Sequence, residues 1–233
     1  MLNSRIWSGV LLVVCLGFFA GPALGLTILV TPASNPDIDI TPRLIGLGHT
    51  VHEIDPATWD AQFDYSVYDV VAFQHAFSDP ADIAHLVDAV DAETVGVVFF
   101  RVNVEAAATA LGLISSSSSD FQDGHQLSIV DNSHPITHDL AITIYDLGYV
   151  NMSYVANPAG GTTVLANGPD GAALVVHNSR RVVATPFYGH FAGHDNETAV
   201  GLGITSKSLD WAASEQVPVM QTTWGMVKAL YAD

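Results

Sequence analysis

The fold of this chain is decided by residues 178–213, which read NSRRVVATPFYGHFAGHDNETAVGLGITSKSLDWAA. Arg181–Thr185 is rich in β-branched residues and stops at Pro186, which lacks the backbone N–H that a strand ladder needs, so it predicts a buried strand. A glycine-rich loop with two histidines follows. The apolar residues between 202 and 212 then predict a closing helix that packs on a sheet. A strand, a histidine-bearing loop and a helix in this order are typical of α/β domains.

The rest of the chain alternates short apolar runs with helical patterns, which favours parallel strands joined by crossover helices. The predicted strands are Leu26–Thr31, Thr50–Ile54, Tyr68–Phe73, Val95–Phe100, Gln126–Val130, Ile142–Tyr145, Thr163–Ala166 and Ala172–Val176. The predicted helices are Ile40–Leu47, a helix capped by Asp79-Pro80 that runs through Ala92, and Val104–Leu113. Asn167–Gly171 predicts a hairpin turn. We therefore expect one α/β domain over residues 26–213.

The N-terminal residues 1–25 have the pattern of a secretory signal. Arg5 precedes the apolar run Val10–Ala20, and Ala23-Leu24-Gly25 is a small-x-small cleavage site. The alternative is a transmembrane anchor, but the run is shorter than the ~20 residues that a span needs. We predict a secreted or cell-envelope protein that begins at Leu26 and keeps no membrane span after cleavage.

Composition limits the chemistry. The 233 residues are 49% hydrophobic and 13% charged, enough for one sizeable core. The formal net charge of −17 argues against nucleic acid or anionic membrane as partners, and favours solubility or a salty exterior. The only cysteine, Cys15, lies in the predicted signal. The exported protein would therefore have no disulfide, no thiolate ligand and no cysteine nucleophile.

Residues 214–233 form a tail that carries Trp224, Val227, Leu230 and Tyr231 at helical spacing. This spacing predicts an amphipathic helix. It could dock on its own domain or on a protein partner, and the sequence leaves both open.

Several segments resemble one known family. Asn132–Leu140 (NSHPITHDL) resembles the D-H-P-I-T-x-G-L segment of ThuA-like (trehalose-utilisation) proteins, which belong to the class I glutamine amidotransferase-like superfamily. Arg181–Val183, Tyr188–His190 and Leu209–Ala212 resemble that family's G-R-V, L-G-H and I-x-W-A elements in the same order. Together with Tyr68–Val71, they cover most of residues 26–213. The resemblance implies a flavodoxin-like three-layer α/β sandwich with a mostly parallel central sheet.

The nucleophile of that superfamily is missing. Its amidotransferases carry G-x-C-x-G at the turn after a central strand, where a strained elbow exposes the cysteine beside backbone N–H donors. Here residues 99–103 read FFRVN, without cysteine, serine or glycine. No G-x-S-x-G occurs elsewhere. The sequence therefore predicts neither glutaminase activity nor an ordinary hydrolase triad.

Polar residues still follow the predicted strands, at the carboxyl edge where open α/β sheets bind ligands. The catalytic candidates are His75, His190 and Arg101, and the ligand-binding candidates are Asn35, Asn103, His134 and Asp195. Two of these histidines could instead have a purely structural role. His134, which precedes Pro135, could simply hydrogen-bond a turn, and His75 could be an imidazole whose hydrogen bonds are satisfied under a loop.

A metal site is a further hypothesis, although the basic expectation is that no cofactor is bound. His190, His194 and Glu197 are ligand types that zinc or iron takes, and Asp195 or His75 could add to them. An i, i+4 histidine pair shares a face only on a helix, whereas the neighbouring glycines predict a loop.

Three functions remain open. The first is an exported, non-catalytic binding or scaffold domain, directed at a small molecule or carbohydrate. The second is a sugar-modifying enzyme with a histidine general base, Arg101 stabilising negative charge, and assistance from a metal. The third is a structural envelope protein that presents its acidic surface and tail to a partner.

Overall fold

The computed structural model describes residues 25–33, 39–74, 79–100, 105–115, 121–153, 155, 157–169, 171–185 and 199–214. Residues 1–24 of the predicted signal and the tail from residue 215 onward lie outside these ranges. None of the helices among the described residues has the length and apolar character of a membrane span.

Nine strands of the described chain form one sheet in the order β2-β1-β3-β4-β9-β8-β7-β5-β6. The strands are β1 (Thr27–Val30), β2 (Thr50–Glu53), β3 (Val70–Phe73), β4 (Gly96–Phe99), β5 (Phe121–Ile129), β6 (Ile144–Ser153), β7 (Thr162–Gly168), β8 (Gly171–His177) and β9 (Val182–Ala184). The first five in the sheet order are mutually parallel. The other four continue the sheet with antiparallel pairings. The α/β class is confirmed, but the expectation of a mostly parallel sheet is wrong, because the sheet is mixed.

Short connections explain the antiparallel half. Only Pro169-Asp170 separates β7 from β8, and only residues 178–181 separate β8 from β9. A crossover between parallel strands takes a dozen residues or more, so these connections allow antiparallel pairing alone. Gly168 pairs with Gly171 across the first connection, which confirms the predicted hairpin turn. β5 and β6 are longer than predicted, because they pair with each other out to Phe121 and Ser153.

The central strands are buried on both faces, as predicted for Val95–Phe100. Val97 and Phe99 belong to one core cluster, and Val98 and Phe100 belong to the other. This alternation follows from the two-residue period of a strand.

Helices cover both faces of the sheet. They are α1 (Thr41–Gly46), α2 (Ile83–Asp91), α3 (Glu105–Ala110) and α4 (Ala199–Ala213). Apolar side chains of α1 and α4 join one core cluster. Those of α2 and α3 join the other. The described chain therefore has three layers, with the sheet in the middle.

Two helix bounds differ from prediction by three residues or more. α2 begins at Ile83 rather than at Asp79, because the Asp82 side chain accepts the backbone N–H of His85 at 3.1 Å and caps the helix. α3 ends at Ala110 rather than at Leu113. Gly112 adopts a φ of +76°, which ends a helix readily only when the residue is glycine.

The last helix ends at the amino-terminal edge of the parallel strands. A Cβ built on Gly96, the first residue of β4, would lie 1.9 Å from the carbonyl oxygen of Ala212. Glycine is therefore required at this crossing. The contact fixes the end of α4 at the edge opposite the carboxyl ends of the strands.

Candidate functional site

The carboxyl ends of β1, β3, β4 and β9 lie side by side, because these strands are parallel neighbours. Most of the sequence-predicted site residues follow these strands directly in the chain. The side chains in question lie outside the described residues, and their roles stay predictions: Asn35, His75, Arg101, Asn103, His190, His194, Asp195 and Glu197.

The described part of this edge contains a buried polar clamp between β1 and β3. The side-chain amide of Gln74 donates to the backbone oxygen of Thr31 at 2.7 Å. Its amide oxygen accepts the backbone N–H of Ile40 at 2.7 Å. The backbone N–H of Gln74 donates to the Thr31 hydroxyl at 3.0 Å. Gln74 is fully buried. Both ends of its amide are engaged, so it positions the start of α1 and is not offered to a ligand.

Sequence reasoning missed this clamp. The available signal was a polar residue immediately after the fully apolar strand VVAF, where glutamine has no reason to be buried unless its amide is satisfied.

A second polar contact ties the loop after β3 to the first turn of α3. Asp79 Oδ1 accepts the backbone N–H of Ala107 at 2.9 Å. Asp79 was expected to cap α2, and it instead serves a helix 28 residues further along the chain. A carboxylate at a helix amino terminus satisfies an orphan N–H group and interacts favourably with the helix dipole.

His134 is the one sequence-predicted site residue that the structure describes. Its Nδ1 accepts the backbone N–H of Ile136 at 3.3 Å, so the imidazole is neutral and bonds the turn that follows it. Its ring packs edge-on against Trp211, with centroids 5.2 Å apart. Burial lowers the pKa of His134 to about 4, against a smaller raising effect of Asp131.

Trp211 lies in the last turn of α4, next to Ala212 at the amino-terminal edge of the sheet. The structure therefore separates His134 from the strand ends that the other candidate residues follow. Its contacts are those of the structural alternative, a histidine that bonds its own turn.

At the amino-terminal edge of the sheet, two side chains hydrogen-bond backbone groups of neighbouring segments. Arg181 is buried, and its guanidinium donates to the backbone oxygens of Ser214, at 2.8 Å, and Glu93. His49 Nδ1 accepts the backbone N–H of Leu26 at 3.2 Å. Burial lowers the pKa of His49, and the carboxylate of Asp210 partly opposes the shift. These hydrogen bonds hold the ends of α4 and β1 in place, and they do not indicate a role in ligand binding.

No group of three or more histidine, cysteine, aspartate or glutamate side chains is arranged to hold a metal ion within the ranges that the structure describes. The predicted ligands His190, His194 and Glu197 lie outside those ranges, so the metal hypothesis stays a prediction.

Solved structures with a similar fold cover more than four fifths of this chain. A protein described as ThuA-like from Bacteroides uniformis has a TM-score of 0.61 and 11% identity, over 84% of this chain and 95% of that one. A second ThuA-like protein, from Parabacteroides merdae, has a TM-score of 0.58 and 16% identity, over 83% of this chain and 92% of that one. A protein described as part of a GMP synthase, from Thermoplasma acidophilum, has a TM-score of 0.52 and 13% identity, over 88% of this chain and 98% of that one.

The chain thus has the fold of the class I glutamine amidotransferase-like superfamily. More specifically, it shares the fold of ThuA-like proteins, which confirms the resemblance seen in the sequence. No protein-family model matches the chain. No curated protein matches it either. At these identities the similarity establishes the fold, and any function rests on the chain's own residues.

Proposed function

We propose that this protein is an exported, non-catalytic binding or scaffold domain that keeps an amidotransferase-like fold without its nucleophile. The observation that carries the proposal is the bond between Asp79 and the first turn of α3, together with a sequence before α3 that has no nucleophile. Residues 99–103, FFRVN, offer no cysteine, serine or threonine.

The position of Asp79 matters because of what an elbow helix does in an enzyme. Backbone N–H groups near its amino terminus stabilise negative charge that develops on the substrate. Here the N–H of Ala107 already donates to a carboxylate. A fixed negative charge at this point occupies a donor and repels a second negative charge. The amino-terminal end of α3 is therefore suited to stabilising the fold and poorly suited to binding an oxyanion.

Carbohydrate is the ligand class that we propose, by analogy with trehalose-utilisation proteins. The binding edge would be formed by His75, Arg101 and His190, which follow β3, β4 and β9 in the chain. Imidazole and guanidinium groups donate hydrogen bonds to hydroxyl oxygens. The secretory pattern of residues 1–25 supports export, and the net charge of −17 makes nucleic acid an unsuitable partner.

The test combines binding with turnover on the purified protein. Bound zinc, iron, manganese and calcium are measured by mass spectrometry, and a panel of mono- and disaccharides that includes trehalose is titrated calorimetrically. Each sugar is then incubated with the protein and analysed for products. The control variant is His138→Ala, at an exposed histidine whose Nδ1 lies 2.7 Å from the backbone oxygen of Pro135. It is compared with the three edge variants His75→Ala, Arg101→Ala and His190→Ala.

The proposal expects one sugar to bind without being converted. It also expects the three edge variants to weaken binding about tenfold or more, roughly 1.4 kcal/mol, while the control binds normally. A product that disappears in His75→Ala or His190→Ala would establish the histidine enzyme instead. Binding that is absent for every sugar, or equal in all four variants, would remove the edge as a carbohydrate site.

A further inference from the structure

An apolar groove of about 420 Å³ lies between α1 and α4, on the outer side of one helix layer. Its lining consists of Pro42, Arg43, Gly46, Leu47 and Leu202. Leu47 is 38% exposed, Leu202 is 37% exposed, and the neighbouring Ile45 is 57% exposed. Large aliphatic side chains that remain exposed along a groove between two helices are typical of a surface that another helix covers.

The chain leaves the described domain at the end of α4, about 18 Å along that helix from Leu202. Ser214 follows α4, and its carbonyl oxygen is held by the buried Arg181 at 2.8 Å. Asp210, about one turn earlier, interacts electrostatically with His49. His49 follows Leu47 by only two residues. The exit point is therefore close to the Leu47 end of the groove.

The segment that follows has the length and pattern to fill it. Pro218 is a favourable first residue for a helix. After it, apolar residues recur every three or four positions: Val219, Met220, Trp224, Val227, Leu230 and Tyr231. A helix over 219–231 would be about 20 Å long, and α4 from Leu202 to its end spans about 18 Å. Four residues, 215–218, reach about 13 Å and suffice for the reversal.

We propose that residues 215–233 fold back antiparallel to α4 and dock as an amphipathic helix in the α1–α4 groove of the same molecule. Attachment at the mouth of the groove gives the segment a high effective concentration there, which a partner in solution does not have. A second copy of the chain is further disfavoured by mutual repulsion at a net charge of −17. The apolar face of the segment covers Leu47 and Leu202, and Leu230 lies near Leu202.

Cysteine crosslinking tests the placement directly, because Cys15 is the only native cysteine. In the full chain with Cys15→Ser, we combine Leu202→Cys with Leu230→Cys and oxidise mildly at low protein concentration. The control combines Asp88→Cys with Leu230→Cys, since Asp88 is an exposed residue of α2, which packs on the opposite face of the sheet. Non-reducing electrophoresis and peptide mass spectrometry identify each product.

The proposal expects an intramolecular disulfide in the Leu202 pair and none in the Asp88 pair. A disulfide that joins two chains would assign the groove to the tail of a second copy, and equal crosslinking in both pairs would show no preferred site. Either result overturns the proposal, as does the absence of any crosslink, which would leave the tail free for a different protein partner.

Mutational coupling provides an independent measurement. Leu202→Asp should lower the melting temperature of the full chain by about 2–4 °C if the groove is covered. Trp224→Asp, which breaks the apolar face of the tail, should have a similar effect. If the two residues share one contact, the double variant melts close to either single variant. Fully additive shifts would contradict docking at this groove.

Discussion

Replacing Gln74 by leucine tests whether the clamp at the carboxyl edge stabilises the domain. Leucine is similar in size but removes the 2.7 Å bonds to the Thr31 oxygen and from the Ile40 N–H. Both residues are almost completely buried, so water cannot replace the lost partner. Each buried group left without its partner costs about 1–3 kcal/mol. We expect the free energy of unfolding to fall by about 2–4 kcal/mol, and the melting temperature by about 5–15 °C.

Urea denaturation followed by circular dichroism measures this change. The midpoint should fall while the m-value stays constant, because the surface exposed on unfolding is nearly the same. Gln62→Leu is the matched control, since Gln62 is exposed, and its midpoint should correspond to a change within about 0.5 kcal/mol. A Gln74→Leu protein that unfolds at the wild-type urea concentration would refute the assignment of a structural role to this amide.

Three further results are expected. Asp79→Ala should lower the free energy of unfolding by about 1 kcal/mol through loss of the α3 cap, with Asp79→Asn, which keeps an acceptor, losing less in the same urea titration. Because burial lowers the folded pKa of His134 to about 4 from an ordinary 6.5, its neutral form stabilises the protein above about pH 6.5, and this contribution decreases as the pH falls toward 4. His134→Phe should therefore lose less stability than the wild type between pH 7 and pH 4.5, and an identical loss would contradict the shift. Added sodium chloride should raise the melting temperature, because screening weakens the repulsion within a chain of net charge −17, and a lower melting temperature in salt would count against this explanation.

The central strands could be predicted from the sequence because burial on both faces leaves a run of apolar residues with clear ends. GVVF at β4 and VVAF at β3 are such runs. The antiparallel half was harder to predict. β5 begins FQDGH, with no apolar alternation, and pairs with β6 through backbone bonds that depend little on side-chain polarity. Strand direction there depends on connection length, which is short at Asn167–Gly171 and between β8 and β9.

The polar contacts at the carboxyl edge show why side-chain roles were less predictable than strands. Asp79 precedes Pro80 and an apolar helical pattern, which favours a local cap, yet it lies beside the start of α3 and bonds Ala107 there. Asp82, three residues later, caps α2 in its place. Local sequence indicates that an aspartate will cap a helix, and only the packing decides which helix.

The two edges of the sheet lead to different conclusions about where any ligand binds. At the amino-terminal edge, Arg181 and His49 bond backbone groups at the ends of α4 and β1, so a ligand there would have to displace these bonds. At the carboxyl edge, the clamp of Gln74 and the cap by Asp79 hold the loop backbone at the ends of β1 and β3 without using any of the predicted ligand-binding side chains. Loops anchored in this way can vary in sequence while the sheet beneath them is unchanged. The residues that follow β4 could therefore differ from those of an amidotransferase with little effect on folding, as the proposed binding role requires.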